Sequence, residues 1–311
     1  MMTATQLSRS ALLFLARQEP LKDLATKLRP LQHLAQRFVA GESLEQAVEA
    51  VRALNARGLT ASFDHLNESV SSPAETRAEV AEYERLLARV EEAGVTANAS
   101  LKLTQCGLLF DPALALENAR TVVAAARARG SFVRIDMEQS AVTQVTLDTV
   151  RALHREFGTE HVGAVLQSYL LRTEADARAL AGEGIRVRLC KGAYLEGPGV
   201  AFQDKREVDE SYLRAMRILL DSGGYHGMAT HDDRMIDATL AYARERGLEP
   251  GAFEFQMLYG IRRDLQERLH AQGHPVRVYV PYGRHWYPYF MRRLAERPAN
   301  IWFVMKNLAA G

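Results

Sequence analysis

The sequence predicts an α/β protein: a distorted (β/α)8 barrel of the TIM type, preceded by a helical arm. From Gly58 onward, short apolar runs alternate with amphipathic helical stretches, and the alternation gives eight strand–helix units. Alternating strands and helices form a parallel sheet. Eight units over roughly 250 residues fit a closed barrel better than an open doubly wound sheet, which stays as the alternative. No G-x-G-x-x-G or P-loop pattern is present, so a Rossmann-type nucleotide site is disfavoured.

Residues 1–57 predict helices and no strand. Apolar residues recur at helical spacing, for example at Leu44, Val48 and Val51. Two prolines and a glycine divide the stretch into about three helices. We therefore predict an N-terminal helical arm over residues 1–57 and a catalytic barrel domain over residues 58–311.

Each predicted strand of the barrel domain is a short apolar run, and a helical pattern follows it. The runs begin near Leu59, Ala97, Phe132, Val162, Ile185, Met228, Phe253 and Val276. The helical patterns cover Glu75–Ala93, Pro112–Arg129, Leu147–Phe157, Glu174–Leu180, Asp209–Asp221, Met235–Arg246, Arg262–Ala271 and Trp286–Glu296.

Composition excludes several classes of protein. With 39 basic and 38 acidic residues the formal net charge is +1, which gives no electrostatic footprint for nucleic acid. No stretch approaches the roughly 18 consecutive apolar residues of a membrane span. Cys106 and Cys190 are too few for a disulfide scaffold and indicate a reducing compartment. His270 and His274 lack a neighbouring acid, so we expect no metal site. These features predict a cytoplasmic protein that at most contacts the inner face of a membrane.

The ends of the predicted strands are unusually rich in polar side chains. Catalytic groups of a barrel come from the C-terminal strand ends and the loops that follow them. The sequence therefore predicts an active site at this end, although strand ends that are simply hydrated are the alternative. The polar residues are Asp64, Lys102, Asp136, Glu138, Gln167, Arg188, Lys191, Thr230, His231, Asp232, Gln256 and Tyr279.

Lys102 lies between Leu101 and Leu103 in one of these strands. A lysine in a barrel interior must be paired or must shift its pKa. Asp136, on the next strand, is the expected ion-pair partner. Three roles stay open at this point: the Schiff-base lysine of an aldolase, a protonated lysine that contacts an anionic substrate, and a buried structural pair.

The last predicted helix carries a pair of arginines. Glu296 follows Arg292 by four residues and Arg293 by three, so it can hold either guanidinium. Adjacent helical residues point about 100° apart, so both arginines reach one ligand only across the helix edge. Such a double fork suits a carboxylate or a phosphate. A solvated charged helix face is the alternative.

Five motifs, in order along the chain, resemble those of the proline dehydrogenase family, the flavoenzymes of proline catabolism. The resemblance runs from Gly58 to the C-terminus, and the chain is similar to the short monofunctional bacterial members. The motifs are Arg188-Leu189-Cys190-Lys191-Gly192-Ala193-Tyr194, Ala229-Thr230-His231-Asp232, Glu254-Phe255-Gln256-Met257-Leu258-Tyr259-Gly260, Tyr279-Val280-Pro281-Tyr282-Gly283 and Tyr289-x-x-Arg292-Arg293-x-x-Glu296.

The resemblance implies an FAD-dependent oxidoreductase with the flavin at the mouth of the barrel. It implies oxidation of L-proline to Δ1-pyrroline-5-carboxylate, the first step of proline degradation to glutamate. A hydride would pass to FAD, and the electrons would go on to a membrane quinone. The implied partners are thus L-proline, a quinone and the membrane surface, with no nucleic acid.

The resemblance also implies roles for individual residues. Arg292 and Arg293 would bind the proline carboxylate together with Lys102. Asp136 would hold Lys102 in place, and Arg188 would lie beside the flavin, which makes Asp136 and Arg188 the catalytic pair. The final helix would cover the strand ends as a lid. Further substrate-site residues would be Tyr194, Leu258, Tyr279 and Glu296, and the FAD site would be lined by Met137, Gln167, Arg188, Lys191, Gly192, Ala193, Thr230 and His231.

Two other functions are compatible with the same barrel. A Schiff-base aldolase would use Lys102 or Lys191 as its nucleophile. A binding or scaffolding protein would need no cofactor, but it would leave the polar strand ends without a purpose. Only the proline dehydrogenase hypothesis predicts a yellow protein.

Overall fold

The computed structural model describes residues 35–67 and 70–296, with side chains up to residue 293. Eight parallel strands form a closed barrel in the order β1 to β8, so the predicted barrel is confirmed and the open sheet is wrong. Each strand begins within two residues of its predicted start. The strands are β1 Thr60–His65, β2 Ala97–Leu101, β3 Val133–Ile135, β4 Val162–Gln167, β5 Arg186–Cys190, β6 His226–Ala229, β7 Phe253–Leu258 and β8 Val276–Tyr282.

Helices surround the barrel, and several of them begin at strong local signals. Ser72 accepts a hydrogen bond from the backbone of Glu75, and Pro73 occupies the first turn of its helix. Asp111 caps the next helix in the same way. The helices are α1 Leu44–Asn55, α2 Pro73–Ala93, α3 Pro112–Arg127, α4 Thr143–Phe157, α5 Thr173–Gly182, α6 Lys205–Asp221, α7 Asp233–Glu245, α8 Arg263–Ala271 and α9 Trp286–Glu296.

Helix α1 packs against the outside of β1 and β8. Its buried face includes Leu44, Val48 and Val51, and a capping box between Ser43 and Gln46 fixes its start. This helix belongs to the predicted N-terminal arm, and it fills the place in the outer layer beside the first and last strands. The rest of the arm, residues 1–34, lies outside the described residues.

Helix α9 lies over the mouth of the barrel, and its Arg292 and Arg293 line the same cavity as the strand ends. Its other face packs on the segment before α1: the rings of Phe38 and Phe290 are 6.2 Å apart. The indole of Trp286 donates to Glu42 at 3.2 Å. Because α1 takes the position beside β1 and β8, α9 is available to cover the cavity.

The apolar core lies between the strands and the helices, whereas the barrel interior is polar. Phe63, Leu189 and Phe255 are fully buried in the outer core. Arg188 on β5 reaches Ser62 and Ser100 on β1 and β2, which requires a path across the interior. Among the described helices, none is long and apolar enough to cross a membrane.

The docking of the segment before α1 predicts a strong effect at Gly260. Gly260 has φ +74°, and a Cβ there would lie 1.5 Å from the backbone oxygen of Arg37. Gly247 has φ +63° with open space around it, so it isolates the backbone strain alone. We expect Gly247→Ala to lower the free energy of unfolding by about 1–2 kcal/mol, and Gly260→Ala to lower it further because the two segments must separate. Urea denaturation of both variants measures this, and equal losses would contradict the close approach.

Candidate active site

A cavity of about 540 Å³ opens at the C-terminal ends of the strands, beneath α9. Its size is typical of small-molecule sites. Of the polar strand-end residues, Glu138 does not line it. The cavity is lined by every residue that was given a specific site role and whose side chain is described. These are Lys102, Asp136, Met137, Gln167, Arg188, Lys191, Gly192, Ala193, Tyr194, Thr230, His231, Leu258, Tyr279, Arg292 and Arg293. The side chain of Glu296 lies outside the described part of the chain.

Strand register brings three charged groups together at one side of this cavity. Leu101 of β2 is paired with Ile135 of β3, so the next residues, Lys102 and Asp136, follow at the same level. Asp64 comes from β1, on the other side of β2. Lys102 therefore lies between two carboxylates.

The expected ion pair between Lys102 and Asp136 is present, but Asp64 is the closer partner of Lys102. The Lys102 Nζ lies 2.5 Å from an oxygen of Asp64 and 3.9 Å from Asp136. Asp136 instead accepts from Arg188 at 2.8 Å and from the hydroxyl of Tyr279 at 2.7 Å. Because these two donors engage both oxygens of Asp136, Lys102 turns toward the carboxylate that is left.

Burial changes the titration of two members of this cluster. It raises the pKa of Asp64, against the opposing effect of Lys102. Burial, together with the charge of Asp136, raises the pKa of Tyr279 well above its usual value. Tyr279 therefore keeps its proton at neutral pH and donates to Asp136. The guanidinium of Arg188 also lies over the Tyr279 ring, 5.1 Å from its centre.

The opposite wall of the cavity offers groups for a polar ligand. Gln167 donates its amide to the backbone oxygen of Met137, and its buried Oε1 has no hydrogen-bond partner. His231 accepts from the backbone of Leu258 through Nε2, so the neutral ring carries its proton on Nδ1. Gly192 has φ +103°, and a Cβ there would lie 2.2 Å from the ring of Tyr169. Only glycine fits at this edge of the cavity.

Lys191 is held in an ion-pair network at the rim. Its Nζ lies 2.5 Å from Asp209 and 2.8 Å from Asp232. Burial raises the pKa of Asp232, but hydrogen bonds from Lys191 and Arg234 outweigh it and hold this pKa well below its usual range. Lys191 and Lys102 each form ion pairs with two carboxylates, and these contacts oppose a nucleophilic role in an aldolase.

The lining of the cavity is positively charged. Of the residues that the structure describes, six basic side chains and three carboxylates line it, although the chain as a whole is close to neutral. Arg292 and Arg293 contribute from α9, and their guanidinium carbons lie 6.0 and 5.1 Å from the ring centre of Tyr289. This surplus of cations favours an anionic ligand. Among the described residues, no group of three or more side chains could hold a metal ion.

The sequence gives no specific role to some of the lining residues. Asp64, Asp232 and Gln256 stood among the polar strand ends, and Tyr289 stood in the last motif, where it precedes Arg292 by three residues. For Asp64, Asp232 and Gln256, their position at the end of a strand was the signal in the sequence that pointed to the site. Their importance depends on contacts across the barrel, which a local pattern does not contain.

Comparison with known proteins identifies the family. A family model described as proline dehydrogenase matches residues 47–306. The chain belongs to the proline dehydrogenase family. It is 44% identical to the proline dehydrogenase of Deinococcus radiodurans over 98% of this chain and 99% of that protein. It is 42% identical to proline dehydrogenase 2 of Bacillus subtilis strain 168 over 88% of this chain and 90% of the relative.

Solved structures agree with the proline dehydrogenase family. Proline utilization A (PutA) from Bdellovibrio bacteriovorus, inactivated by N-propargylglycine, superposes with a TM-score of 0.81 at 25% identity. The match covers 86% of this chain but 33% of the PutA chain, so this chain spans about a third of that protein. The family model and the relatives of similar length support an enzyme that oxidises proline, as the sequence motifs predicted.

The arrangement around Lys102 predicts unequal coupling to its two carboxylates. In double-mutant cycles on the free energy of unfolding, Lys102→Met with Asp64→Asn should show a coupling of at least about 1 kcal/mol. Lys102→Met with Asp136→Asn should show less, because 3.9 Å separates those groups. Equal couplings, or the reverse order, would contradict the assignment of Asp64 as the main partner.

Proposed function

We propose that this enzyme uses FAD to oxidise L-proline to Δ1-pyrroline-5-carboxylate and passes the electrons to a membrane quinone. The observation that carries the proposal is the single cavity that Lys102, Arg292 and Arg293 share with Gln167 and Arg188. Lys102, Arg292 and Arg293 offer three cations to a small carboxylate. Elsewhere in the cavity, Gln167 offers a buried amide oxygen that has no hydrogen-bond partner, and Arg188 offers a positive charge that its contacts hold in place.

The residues present fit a flavin. The buried Oε1 of Gln167 has no partner and suits a ligand that donates a hydrogen bond. Gly192 lets the chain pack directly on the ring of Tyr169 at the edge of the cavity, and this packing sets the shape of the wall that a flavin would contact. Met137, Ala193, Thr230 and His231 would complete this wall, with Lys191 at its rim. FAD, when bound, would supply the acceptor for the hydride that leaves C5 of proline.

Proline would be oriented by charge at one end and by packing along its ring. Arg292, Arg293 and Lys102 would hold the carboxylate through charge-assisted hydrogen bonds. Tyr194, Leu258 and Tyr279 would enclose the ring. Fixing a small rigid molecule at its carboxylate directs C5 to one position, which is the main contribution that a protein can make to such a transfer.

The oxidation would pass a hydride from C5 to the flavin and release a proton from the amine to solvent water, which leaves a double bond between C5 and nitrogen. Tyr279 does not take that proton. Its pKa is raised well above its usual value, so its hydroxyl is already protonated at neutral pH. Asp136 holds Arg188 and Tyr279 in place. The charge of Arg188 would then favour a bound group that gains negative charge.

The first test concerns the cofactor. The purified protein should be yellow, and anaerobic L-proline should bleach its flavin absorption. Gly192→Ala should lower the FAD content severalfold, because its Cβ would displace Tyr169. Gly197→Ala, in the same loop with open space around it, is the matched control and should keep normal FAD content. A colourless protein that also fails to bind added FAD would overturn the proposal.

The second test concerns the carboxylate. Charge-assisted hydrogen bonds are worth about 1.5–3 kcal/mol, so Arg292→Ala or Arg293→Ala should lower kcat/KM for proline about tenfold to a hundredfold. Prolinamide lacks the anion, so it should be a poor substrate of the wild type and should lose little more in either variant. Lysine should rescue poorly because it cannot make the planar two-point contact. If both substrates lose the same factor, these arginines do not bind the carboxylate.

The quinone proposal has support from the mouth surface. Among the described residues, the large apolar side chains that are exposed all lie on loops after β2, β4 and β5. Leu171, Leu195 and Val200 are 48%, 59% and 42% exposed, and Leu195 follows the cavity residue Tyr194. Exposed apolar residues grouped in this way are typical of contact surfaces. We propose that Leu171, Leu195 and Val200, on the loops after β4 and β5, meet the inner face of the membrane, where the acceptor is dissolved.

The acceptor surface is tested with two electron acceptors. Changing Leu171, Leu195 and Val200 together to serine should lower the rate with a quinone in lipid vesicles severalfold. The rate with a soluble dye should stay normal, because the cavity itself is unchanged. Leu109→Ser removes an equally exposed apolar side chain after β2 and serves as the control. Equal rates of the triple variant and the wild type with vesicles would sink this surface assignment.

A further inference from the structure

A row of hydrogen bonds runs through the barrel interior below the cavity. Arg277 donates to Glu254 at 2.8 Å, and the amide of Gln256 donates to the same carboxylate oxygen at 2.5 Å. The Nε of Arg188 in turn donates to the Oε1 of Gln256. Glu254 and Gln256 are each 3% exposed. These hydrogen bonds therefore connect Arg277, through Glu254 and Gln256, to the guanidinium of Arg188 at the cavity.

This arrangement fixes the orientation of the Gln256 amide. A carboxylate accepts hydrogen bonds, so Glu254 must face the amide nitrogen. Burial raises the pKa of Glu254, but the charge and hydrogen bond of Arg277, with further help from Arg134 and Gln256, together outweigh it and lower this pKa, which keeps the group ionised. The amide oxygen is thereby left facing Arg188, which can only donate. If the amide were flipped, its nitrogen would face the N–H of Arg188, which is also a donor, and its oxygen would face the carboxylate of Glu254, which is also an acceptor.

The neighbouring strand also restricts the position of the Gln256 amide. Glu254 and Gln256 are two residues apart on β7, so both point into the interior. Gly227 of β6 is paired with Glu254, and a Cβ there would lie 2.4 Å from the amide nitrogen of Gln256. A side chain at position 227 would push the amide away. The Gln256 amide therefore occupies the space that the missing side chain of Gly227 leaves.

Arg188 depends on this contact for its direction. Its NH1 binds Asp136, but that carboxylate also accepts from Tyr279. The contacts of NH2 to Ser100 and Ser62 are longer, at 3.0 and 3.4 Å. The bond from Nε to Gln256 holds the guanidinium on the side opposite these groups, so it resists rotation about the side chain's own axis.

We propose that Gln256 and Glu254 are positioning residues, which hold the Arg188 guanidinium at the cavity and so keep its charge beside the bound flavin. The inference rests on the proposed function for the identity of the group that Arg188 faces. Loss of the contact would let the guanidinium turn toward Asp136. The reduced flavin, which carries more negative charge, would then lose a favourable partner.

The main variant is Gln256→Leu, which leaves the Nε of Arg188 without its acceptor. We expect reduction of the bound flavin to become about tenfold less favourable, a shift of about 30 mV for a two-electron couple. The kcat for proline should fall about tenfold with KM nearly unchanged, because Arg292 and Arg293 are intact. Glu254→Gln keeps the size of the side chain but no longer dictates the amide orientation, so it should shift the potential in the same direction.

The control is Phe255→Leu, at the residue between the two. Phe255 is buried in the outer core and does not face Arg188, so its replacement destabilises β7 without touching the row. It should leave the flavin potential at the wild-type value. A potential that shifts equally in Phe255→Leu, or not at all in Gln256→Leu and Glu254→Gln, overturns the positioning role.

A second measurement does not depend on the flavin. In arginine-selective ¹⁵N spectra, the Nε–H signal of Arg188, identified by its loss in Arg188→Lys, should exchange slowly with water. Exchange should become at least tenfold faster in Gln256→Leu and stay slow in Phe255→Leu. If the wild type binds no FAD or fails to oxidise proline, the proposed function fails, and the exchange rates still decide whether Gln256 holds Arg188. Unchanged exchange in Gln256→Leu overturns the inference whatever the flavin does.

Discussion

The side chain of Arg188 imposes the strongest constraint on this barrel. A guanidinium stays charged at all physiological pH values and is costly to bury unless each of its donors finds a partner. Here it is 6% exposed and binds groups on β1, β2 and β7 and Asp136, the residue directly after β3. The polar interior of the barrel follows from this requirement. The apolar residues are correspondingly shifted to the layer between strands and helices.

The same constraint shapes the charged side of the cavity. Arg188 and Tyr279 engage Asp136, so Lys102 pairs with Asp64, and both cations remain next to the space where a ligand would lie. Helix α9 adds two more cations from above because α1 has taken the position beside β1 and β8. The positive lining of the cavity is thus a product of both the barrel interior and the helical layer.

The sequence predicted the barrel well because its signals are local. Apolar runs, caps and prolines mark each element, and every strand begins within two residues of its expected start. The location of the site was also predictable, since parallel strands end at one rim. The closer partner of Lys102 was not, because Asp64 on β1 and Asp136 directly after β3 lie on the two sides of β2. Arg188 reaches Asp136 from β5 and occupies it, so Lys102 lies closer to Asp64. This contact across the barrel is not visible in any local pattern of the sequence.

The place of α1 has a consequence for synthesis on the ribosome. The segment before this helix is bound to the end of β8: Ala40 donates to Pro281 at 2.8 Å, and Gly283 donates to Gly41 at 3.0 Å. These partners are separated by about 240 residues of chain, which take on the order of 12–48 s to translate. During that time the apolar face of α1 and the open edge of β1 are without their final neighbours. A nascent chain of this fold therefore spends most of its elongation with an unclosed barrel, in the period when chaperones have the most surface to bind.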